Sequence, residues 1–300
     1  MIRILPGDTQ NLQRIEECLN MKKISRRSFL AAAGLSVAAL ALTACGGSSA
    51  SSTASSVASS AASSEAASTS AAAGELTTVE AGKLTMATNA TFPPYEMTTD
   101  SGDIEGIDVE TAQAIADKLG LELQIDDMDF DAALLSVQQG KADIVMAGVT
   151  VTDERKAVMD FSDSYATGIQ SIIVPNDSDI ASPDDLAGKK IGTQRGTTGY
   201  IYCSDDFGDD AVVAYDNGLT AVQALNNGQV DAVVIDNAPA KEYVAANPGL
   251  KVLDTSYAEE DYAIGMAKGS SLEAAVNAAL EELKADGTLQ AIVDKYITAE

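Results

Sequence analysis

Two arginines are prominent among the residues that could bind a small molecule. From Cys45 onward the chain holds eleven lysines, but its only arginines are Arg155 and Arg195, and each lies where a loop leads into a predicted helix. The planar guanidinium of arginine donates two parallel hydrogen bonds to one carboxylate, whereas the ammonium of lysine acts as a point charge. The placement of these arginines therefore indicates that the guanidinium geometry is used.

Arg155 follows a segment with the signature of a helix start. Thr152 is the predicted N-cap, and Asp153 and Glu154 stand in the first turn, where acidic residues are favourable. Arg155 is thus a candidate clamp for a carboxylate. The alternative is a surface arginine that pairs with Asp153 or Glu154.

A second candidate for binding an anion follows Arg195 and Gly196. Thr197 and Thr198 lie where a predicted tight turn meets a helix N-terminus, so free backbone N–H groups can receive a carboxylate. Simple helix capping by the same atoms is the alternative. For Arg195 itself we expect a solvated residue or one that acts in lobe closure.

Asp236 is the candidate partner for a positive charge. It ends the apolar strand predicted over 232–235, and open α/β folds bind ligands at the carboxyl ends of their strands. A helix cap is the alternative, because Asn237-Ala238-Pro239 follows.

These residues need a scaffold, and the pattern of strands and helices predicts one. Short apolar strands alternate with amphipathic helices twice along the chain, which predicts an α/β fold with mostly parallel sheets. The first unit has strands over 84–87, 121–125 and 142–147 and helices over 109–119 and 132–139. The second has strands over 169–174, 190–193 and 232–235 and helices over 184–186, 196–202 and 219–226.

The end of the chain is predicted to return to the first unit. A strand over 262–267 is followed by two helical segments that finish at Ile297. We therefore expect one lobe from residues 83–172 plus 262–300 and a second from 173–261, with two strands near 172 and 260 as the hinge.

Composition excludes several classes of function. The chain from Cys45 onward holds 13 lysines and arginines against 42 aspartates and glutamates, a formal charge of −29, which repels nucleic acid and anionic membrane surfaces. Histidine is absent, so the commonest metal ligand and neutral-pH base are missing. We expect no metal, no cofactor, no disulfide framework and no catalytic role for Cys203, which has no histidine to activate it.

The N-terminal part indicates export. Arg26 and Arg27 precede an apolar run too short to span a membrane, and Leu42-Thr43-Ala44-Cys45 resembles the lipobox of bacterial lipoproteins. Residues 1–44 are predicted to be an upstream extension and a cleaved signal peptide. Residues 45–80 would hold a lipidated Cys45 and a flexible Ser/Ala linker, and two acyl chains give a stable anchor. The segment SRRSFL resembles a twin-arginine signal, with general secretion as the alternative.

The folded part resembles bacterial extracellular solute-binding proteins of the polar amino-acid transport class (family 3) over about Lys83 to Ile297. The resemblance implies the two-lobed periplasmic-binding-protein fold, with two mixed, mostly parallel sheets joined by a two-strand hinge. It is carried by the order and spacing of many short motifs. They are Phe92-Pro93-Pro94-Tyr95-Glu96, Gly106-Ile107-Asp108-Val109-Glu110, Asp129-Phe130, Gly148-Val149-Thr150-Val151-Thr152-Asp153-Glu154-Arg155, Asp160-Phe161-Ser162, Gly196-Thr197-Thr198, Val230-Asp231-Ala232-Val233, and Leu283 with Asp286-Gly287-Thr288.

The same resemblance assigns roles around the charges of a zwitterionic amino acid. It implies that Arg155 grips the α-carboxylate and that Asp236 receives the α-ammonium. Gly148 and Thr150 would offer backbone and hydroxyl contacts to either group. Thr197 and Thr198 would complete the carboxylate site on lobe closure.

Four further residues are implied to surround the ligand side chain. Gln194 would touch it, and Phe92 and Phe130 would form aromatic walls, with a core role as the alternative. Asn89 stands where several relatives have an aspartate, a departure that argues against a lysine, arginine or ornithine ligand. Ile235 replaces a polar residue of some glutamine binders, which argues against glutamine as well.

The implied function is that of a substrate-binding lipoprotein of an ABC importer. It would capture a polar amino acid between the lobes and deliver it to permease subunits, as a monomer that is not an enzyme and binds no nucleic acid. It would be exported and lipid-anchored at the outer face of the cell membrane, or at the periplasmic side in a Gram-negative cell. The alternatives are a cyclohexadienyl dehydratase-like enzyme on the same fold and an amino-acid sensor.

Overall fold

A computed structural model describes residues 76–297 of the chain. The predicted signal peptide, the lipidation site at Cys45 and most of the predicted linker lie outside the described residues. Within the described residues, no helix is long and apolar enough to cross a membrane.

Strands and helices alternate along most of the described chain. The strands are β1 (Lys83–Thr88), β2 (Thr91–Phe92), β3 (Glu96–Thr98), β4 (Ile104–Glu105), β5 (Glu122–Asp127), β6 (Ile144–Val145), β7 (Met159–Phe161), β8 (Ala166–Pro175), β9 (Ile191–Gln194), β10 (Val212–Tyr215), β11 (Ala232–Asp236), β12 (Leu250–Val252), β13 (Ala258–Tyr262) and β14 (Gly265–Ala267). The α-helices are α1 (Ile107–Leu119), α2 (Phe130–Gln138), α3 (Asp153–Lys156), α4 (Thr198–Phe207), α5 (Gly218–Asn226), α6 (Asn237–Ala246), α7 (Glu273–Ala285) and α8 (Thr288–Tyr296). The shorter 3-10 helix Pro183–Leu186 precedes β9.

Two mixed sheets form the framework, as the resemblance implied. The first has the order β5-β1-β6-β14-β7, and the second has the order β10-β9-β11-β8-β12, with β13 also paired to β8. In the first sheet only β14 runs against the other strands, and in the second only β8 does so. The chain enters the second sheet along β8 and returns to the first sheet along β14. Within each sheet, all the other strands run parallel to one another.

The pairing of the strands shows between which residues the chain passes from one lobe to the other, and these positions differ from the predicted boundaries. The predicted boundary after residue 172 falls inside β8, all of whose pairings lie in the second sheet, so the chain crosses earlier, between Phe161 and Ala166. The predicted strand over 262–267 is wrong, because Tyr262 ends β13 in the second sheet and Gly265 begins β14 in the first. Residues 262–267 are apolar throughout because the end of β13 and the start of β14 are both buried. Their hydropathy therefore cannot show that they belong to two strands in different sheets. We call 83–161 with 265–297 the first lobe and 166–262 the second.

Each lobe has its own apolar core, and both present helix N-termini to the space between them. In the first lobe α1, α7 and α8 pack on one face of the sheet, and α2 packs on the other. In both lobes, helices begin shortly after the carboxyl ends of parallel strands: α2 after β5, α4 after β9 and α6 after β11. This arrangement brings the loops that carry the candidate residues to one crevice.

Candidate functional site

One cavity between the lobes collects every ligand-binding candidate from the sequence. The empty space among its lining residues is about 460 Å³, a volume that includes open solvent. The first lobe contributes five of the candidates together with the arginine of α3, and the second lobe contributes four. The residues are Asn89, Phe92, Phe130, Gly148, Thr150 and Arg155 from the first lobe and Gln194, Thr197, Thr198 and Asp236 from the second.

Arg155 is a buried cation that lacks an anionic partner within the described residues. Its side chain is 9% exposed, Nη1 donates to the Thr150 carbonyl at 2.7 Å, and Nη2 donates across the crevice to the Gly196 carbonyl at 3.1 Å. The guanidinium lies 5.4 Å from the centre of the Phe130 ring. Burial lowers the pKa of this group, and the more distant Glu260 opposes the shift.

The local fold explains why Arg155 points inward. Thr152 caps α3 by accepting the Arg155 N–H at 3.2 Å, as the sequence predicted. The alternative, a surface arginine paired with Asp153 or Glu154, does not match the structure. That description fits Arg195 better, since it is exposed and lies 3.8 Å from Asp216.

Asp236 is both a helix cap and a wall of the cavity. Its Oδ1 accepts the Ala238 N–H at 3.1 Å, which caps α6, while Oδ2 accepts the Ile169 N–H at 2.7 Å and the Tyr262 hydroxyl at 2.8 Å. The residue is 2% exposed, and burial raises the pKa of its carboxyl group to about 6. All three of these donors are neutral, so a cation in the cavity would favour the ionised carboxylate.

The N-terminus of α4 faces the same space. Thr197 caps this helix by accepting the Tyr200 N–H at 3.3 Å, and its hydroxyl donates to the Gln194 carbonyl at 2.8 Å. Thr198 Oγ1 lies 3.4 Å from Thr150 Oγ1 of the other lobe. Capping and anion binding therefore use the same turn, and the first N–H groups of α4 have no partner inside the helix.

A pair of amides joins the lobes elsewhere on the cavity wall. Gln194 Nε2 donates to Asn89 Oδ1 at 2.9 Å, and Asn89 Nδ2 donates to the Met128 carbonyl at 2.9 Å. Phe92 lies against Gly148, where an added Cβ would meet its ring at 2.7 Å. Both Phe92 and Phe130 line the cavity while also packing on the core, and their contact with a ligand stays a prediction.

The cavity has further lining residues that sequence analysis did not select as ligand contacts, namely Glu96, Ala147, Gln170, Val234 and Tyr262, together with Ile235, which it considered only as a departure from some glutamine binders. Val234 and Ile235 precede Asp236 on β11, so the end of that strand was the available signal. Glu96 appeared only as part of a family motif. Tyr262 had no local signal, because its position depends on the return of the chain between the lobes.

Tyr262 supports Asp236 from a tightly packed place. Its hydroxyl donates to Asp236, its ring meets Tyr95 edge-on at 5.4 Å between centres, and its side chain is fully buried. The ring lies directly over Gly168, where an added Cβ would come within 2.5 Å of Cζ. Because glycine has no Cβ, Gly168 allows the Tyr262 ring to pack against the backbone at this position.

The lobes touch at several points besides the amide pair. Tyr243 of α6 donates its hydroxyl to the Thr91 carbonyl at 2.6 Å, and the Thr150 hydroxyl donates to Glu260 at 3.1 Å. Together with the bond from Arg155 to Gly196, these contacts hold the crevice closed. Within the described residues no group of acidic or cysteine side chains could hold a metal ion.

Comparison with known proteins gives a consistent picture. A family model for bacterial extracellular solute-binding proteins, family 3, matches residues 84–299. The L-cystine-binding protein TcyJ of Escherichia coli (strain K12) is 34% identical over 225 residues, which cover 74% of this chain and 85% of that protein. The arginine-binding extracellular protein ArtP of Bacillus subtilis (strain 168) is 33% identical over 228 residues, or 73% and 87% of the two chains. Among solved structures, the arginine-, lysine-, histidine-binding protein ArtJ of Geobacillus stearothermophilus superposes with a TM-score of 0.70 at 35% identity and covers 73% of this chain and 96% of its own.

The packing of Tyr262 over Gly168 can be tested by adding one methyl group. Gly168→Ala should lower the free energy of unfolding by about 1–3 kcal/mol, because the buried ring cannot move aside without leaving Asp236. Gly249→Ala is the matched control, since its Cβ would meet nothing within 4 Å. Urea unfolding followed by circular dichroism measures both. Equal stabilities of the two variants would contradict this account of the packing.

Proposed function

Because this chain belongs to the bacterial extracellular solute-binding proteins of family 3, we propose that Arg155 and Asp236 hold the two charged groups of an amino acid in the cavity. The chain is an exported solute-binding protein that serves an ABC importer by capturing a polar amino acid, and it is not an enzyme.

The observation that carries the proposal is the buried, unpaired guanidinium of Arg155. A buried charge is unfavourable unless an opposite charge and hydrogen bonds compensate it. Two of the five N–H donors of Arg155 reach backbone carbonyls, which leaves donors for a carboxylate in the cavity. The N-terminus of α4, beginning at Thr198, supplies backbone N–H groups from the other lobe.

Asp236 provides the complementary half. Its carboxylate is buried against neutral donors only, and an ammonium group would supply the missing positive charge. The charges come from different lobes, so a zwitterion that contacts both stabilises the closed form over the open one. An open and a closed population would then be shifted by the ligand.

We also propose that the side chain of the bound amino acid is uncharged. Asn89 and Gln194 present two amides to the cavity, and the acids that line it are Asp236, which the ammonium group would occupy, and Glu96, which lies beside Asp108. Amides hydrogen-bond neutral polar groups well, whereas a cationic side chain placed against Asn89 and Gln194 would find no counter-charge in them. Relatives differ at this level, since TcyJ is named for cystine and ArtP for arginine.

Calorimetric titration with the twenty amino acids tests the proposed function. One or a few amino acids with uncharged polar side chains should bind tightly, and none should be consumed. Exclusive binding of arginine or lysine would reject the neutral class while leaving the clamp in place. No binding of any amino acid would reject both.

Arg155→Lys should weaken binding of the amino acid found in that titration by about 2–5 kcal/mol, because a point charge cannot replace two parallel hydrogen bonds in a buried site. Arg195→Lys is the matched control, because Arg195 is exposed. This variant should bind the amino acid with the affinity of the unaltered protein. Calorimetry measures both variants. If Arg155→Lys binds as tightly as Arg195→Lys, the clamp lies elsewhere.

We propose that Cys45 carries the lipid that holds the protein at the membrane and that this anchor is its only membrane contact. We also propose that the protein acts as a monomer. The lipobox-like Leu42-Thr43-Ala44 before Cys45 supports the anchor. Cys45→Ser should move the protein from the membrane fraction to the soluble fraction of cells, as judged by immunoblotting. Cys203→Ser, which alters a thiol buried in the second lobe, should leave the fractionation unchanged. A Cys45→Ser protein that sediments with membranes would contradict the anchor.

A further inference from the structure

Two acidic residues from separate sequence motifs meet beneath the cavity. Glu96 lies on β3, and Asp108 lies in the first turn of α1. Gly106 makes the meeting possible, because with φ +138° it passes so close to Tyr95 that an added Cβ would lie 2.2 Å from the carbonyl oxygen. The Asp108 N–H then donates to the Tyr95 carbonyl at 2.9 Å. The backbone therefore fixes the two acids side by side.

The two carboxyl groups are fully buried and short of partners. Neither residue exposes any surface. Asp108 Oδ2 accepts the Gly148 N–H at 3.0 Å, while Asp108 Oδ1, both oxygens of Glu96 and the Tyr165 hydroxyl make no hydrogen bond of ordinary geometry among the described residues. Both the Glu96 carboxyl group and the Tyr165 hydroxyl influence the pKa of Asp108 as hydrogen-bonding neighbours. Two ionised carboxylates in this position would repel strongly, whereas one proton between them makes a strong hydrogen bond.

The surroundings favour retention of that proton. The ionisable groups with the largest mutual influence on the pair are acids and phenols: Asp127 of β5, Tyr95, Tyr165 and Tyr243 of α6. Burial, followed by the neighbouring Asp108, raises the pKa of Glu96 well above its usual value. Burial also raises the pKa of Asp108 to about 6, although the Gly148 N–H opposes the shift. Among the described residues, no lysine or arginine is a main influence on either pKa.

The pair is connected to the binding cavity at two points. Glu96 itself lines the inner wall, and Asp108 holds the amide of Gly148, another lining residue. Gly148 has φ +55° and no room for a side chain against Phe92, so its peptide groups have little freedom once that bond is made. A displacement of Asp108 would therefore move the cavity wall.

We propose that Glu96 and Asp108 share one proton at neutral pH and that this pair positions the Gly148 backbone for ligand binding. The effect on ligand affinity rests on the function proposed above, whereas the shared proton does not. Loss of the proton at alkaline pH places a second negative charge beneath the cavity and releases Gly148 from its fixed position. Glu96 and Asp108 thus act by positioning the Gly148 backbone. They differ in this from Arg155 and Asp236, for which we propose direct contact with the ligand.

Infrared spectroscopy of the purified protein tests the shared proton without any ligand. At neutral pH the unaltered protein should show the carbonyl band of a buried, protonated carboxylic acid, and Glu96→Gln should lack it. Glu105→Gln, an exposed acid beside the pair, should retain the band. Absence of the band in the unaltered protein, or its persistence in Glu96→Gln, would overturn the proposal.

Nuclear magnetic resonance tests the link to Gly148. In the unaltered protein and in Glu105→Gln, the Gly148 amide resonance should shift as the pH is raised from neutral into the alkaline range, where Asp108 is already ionised and the pair loses its remaining proton. In Glu96→Gln it should stay in place over that range, because glutamine has no proton to lose. The same shift in Glu96→Gln as in the unaltered protein would show that Gly148 does not follow the pair.

Binding gives the third test, with glutamine, arginine, histidine and cystine as probes. For each probe that binds, affinity of the unaltered protein should fall at least about tenfold between neutral and mildly alkaline pH, corresponding to about 1.4 kcal/mol, relative to Glu96→Gln. Titration of the probe's own amino group cancels in this comparison. Parallel pH profiles would overturn the positioning role. If no probe binds at any pH, the proposed function fails instead, and the infrared band still decides whether the proton is shared.

Discussion

The buried guanidinium of Arg155 is the constraint on which the rest of the structure depends. A cation taken from water into a protein interior loses several kcal/mol of solvation unless an anion and hydrogen bonds replace it. Here the capped turn at Thr152 directs the side chain inward, and the hydrogen bonds it makes go to the Thr150 and Gly196 carbonyls. The remaining requirement is a carboxylate, and the cavity offers a place for one beside the N-terminus of α4.

The two-lobed architecture turns this requirement into a binding cycle. One lobe carries the cation, the other carries Asp236, and the contacts described between the lobes are hydrogen bonds rather than ion pairs, as between Gln194 and Asn89. Such contacts favour closure modestly, because each exchanges one hydrogen bond with water for another. A zwitterion that pairs with both charges adds much more, so closure and capture become one event. Under the proposed function, the same geometry would let the amino acid leave when the lobes part at a permease.

Local signals in the sequence predicted the parts of the site that local structure builds. The cap at Thr152 and the strand that ends in Asp236 were both predicted from a few neighbouring residues, and family resemblance added the aromatic walls. The sequence did not predict the features of the site that depend on contacts between residues far apart in the chain. Tyr262 enters the site only because the chain crosses between sheets beside it, and its apolar neighbours gave no sign of that crossing. Glu96 matters through its approach to Asp108, which depends on a turn that a single sequence does not reveal.

The central claim is that the cavity binds both charged groups of an amino acid, and derivatives lacking one charge test it most directly. Calorimetry should compare the amino acid that binds with its carboxamide, which lacks the carboxylate, and with its N-acetyl form, which lacks the ammonium group. The account predicts that each derivative loses on the order of 2–5 kcal/mol of binding free energy, because a buried charge is left unpaired in either case. Binding of either derivative with the affinity of the parent amino acid would contradict it.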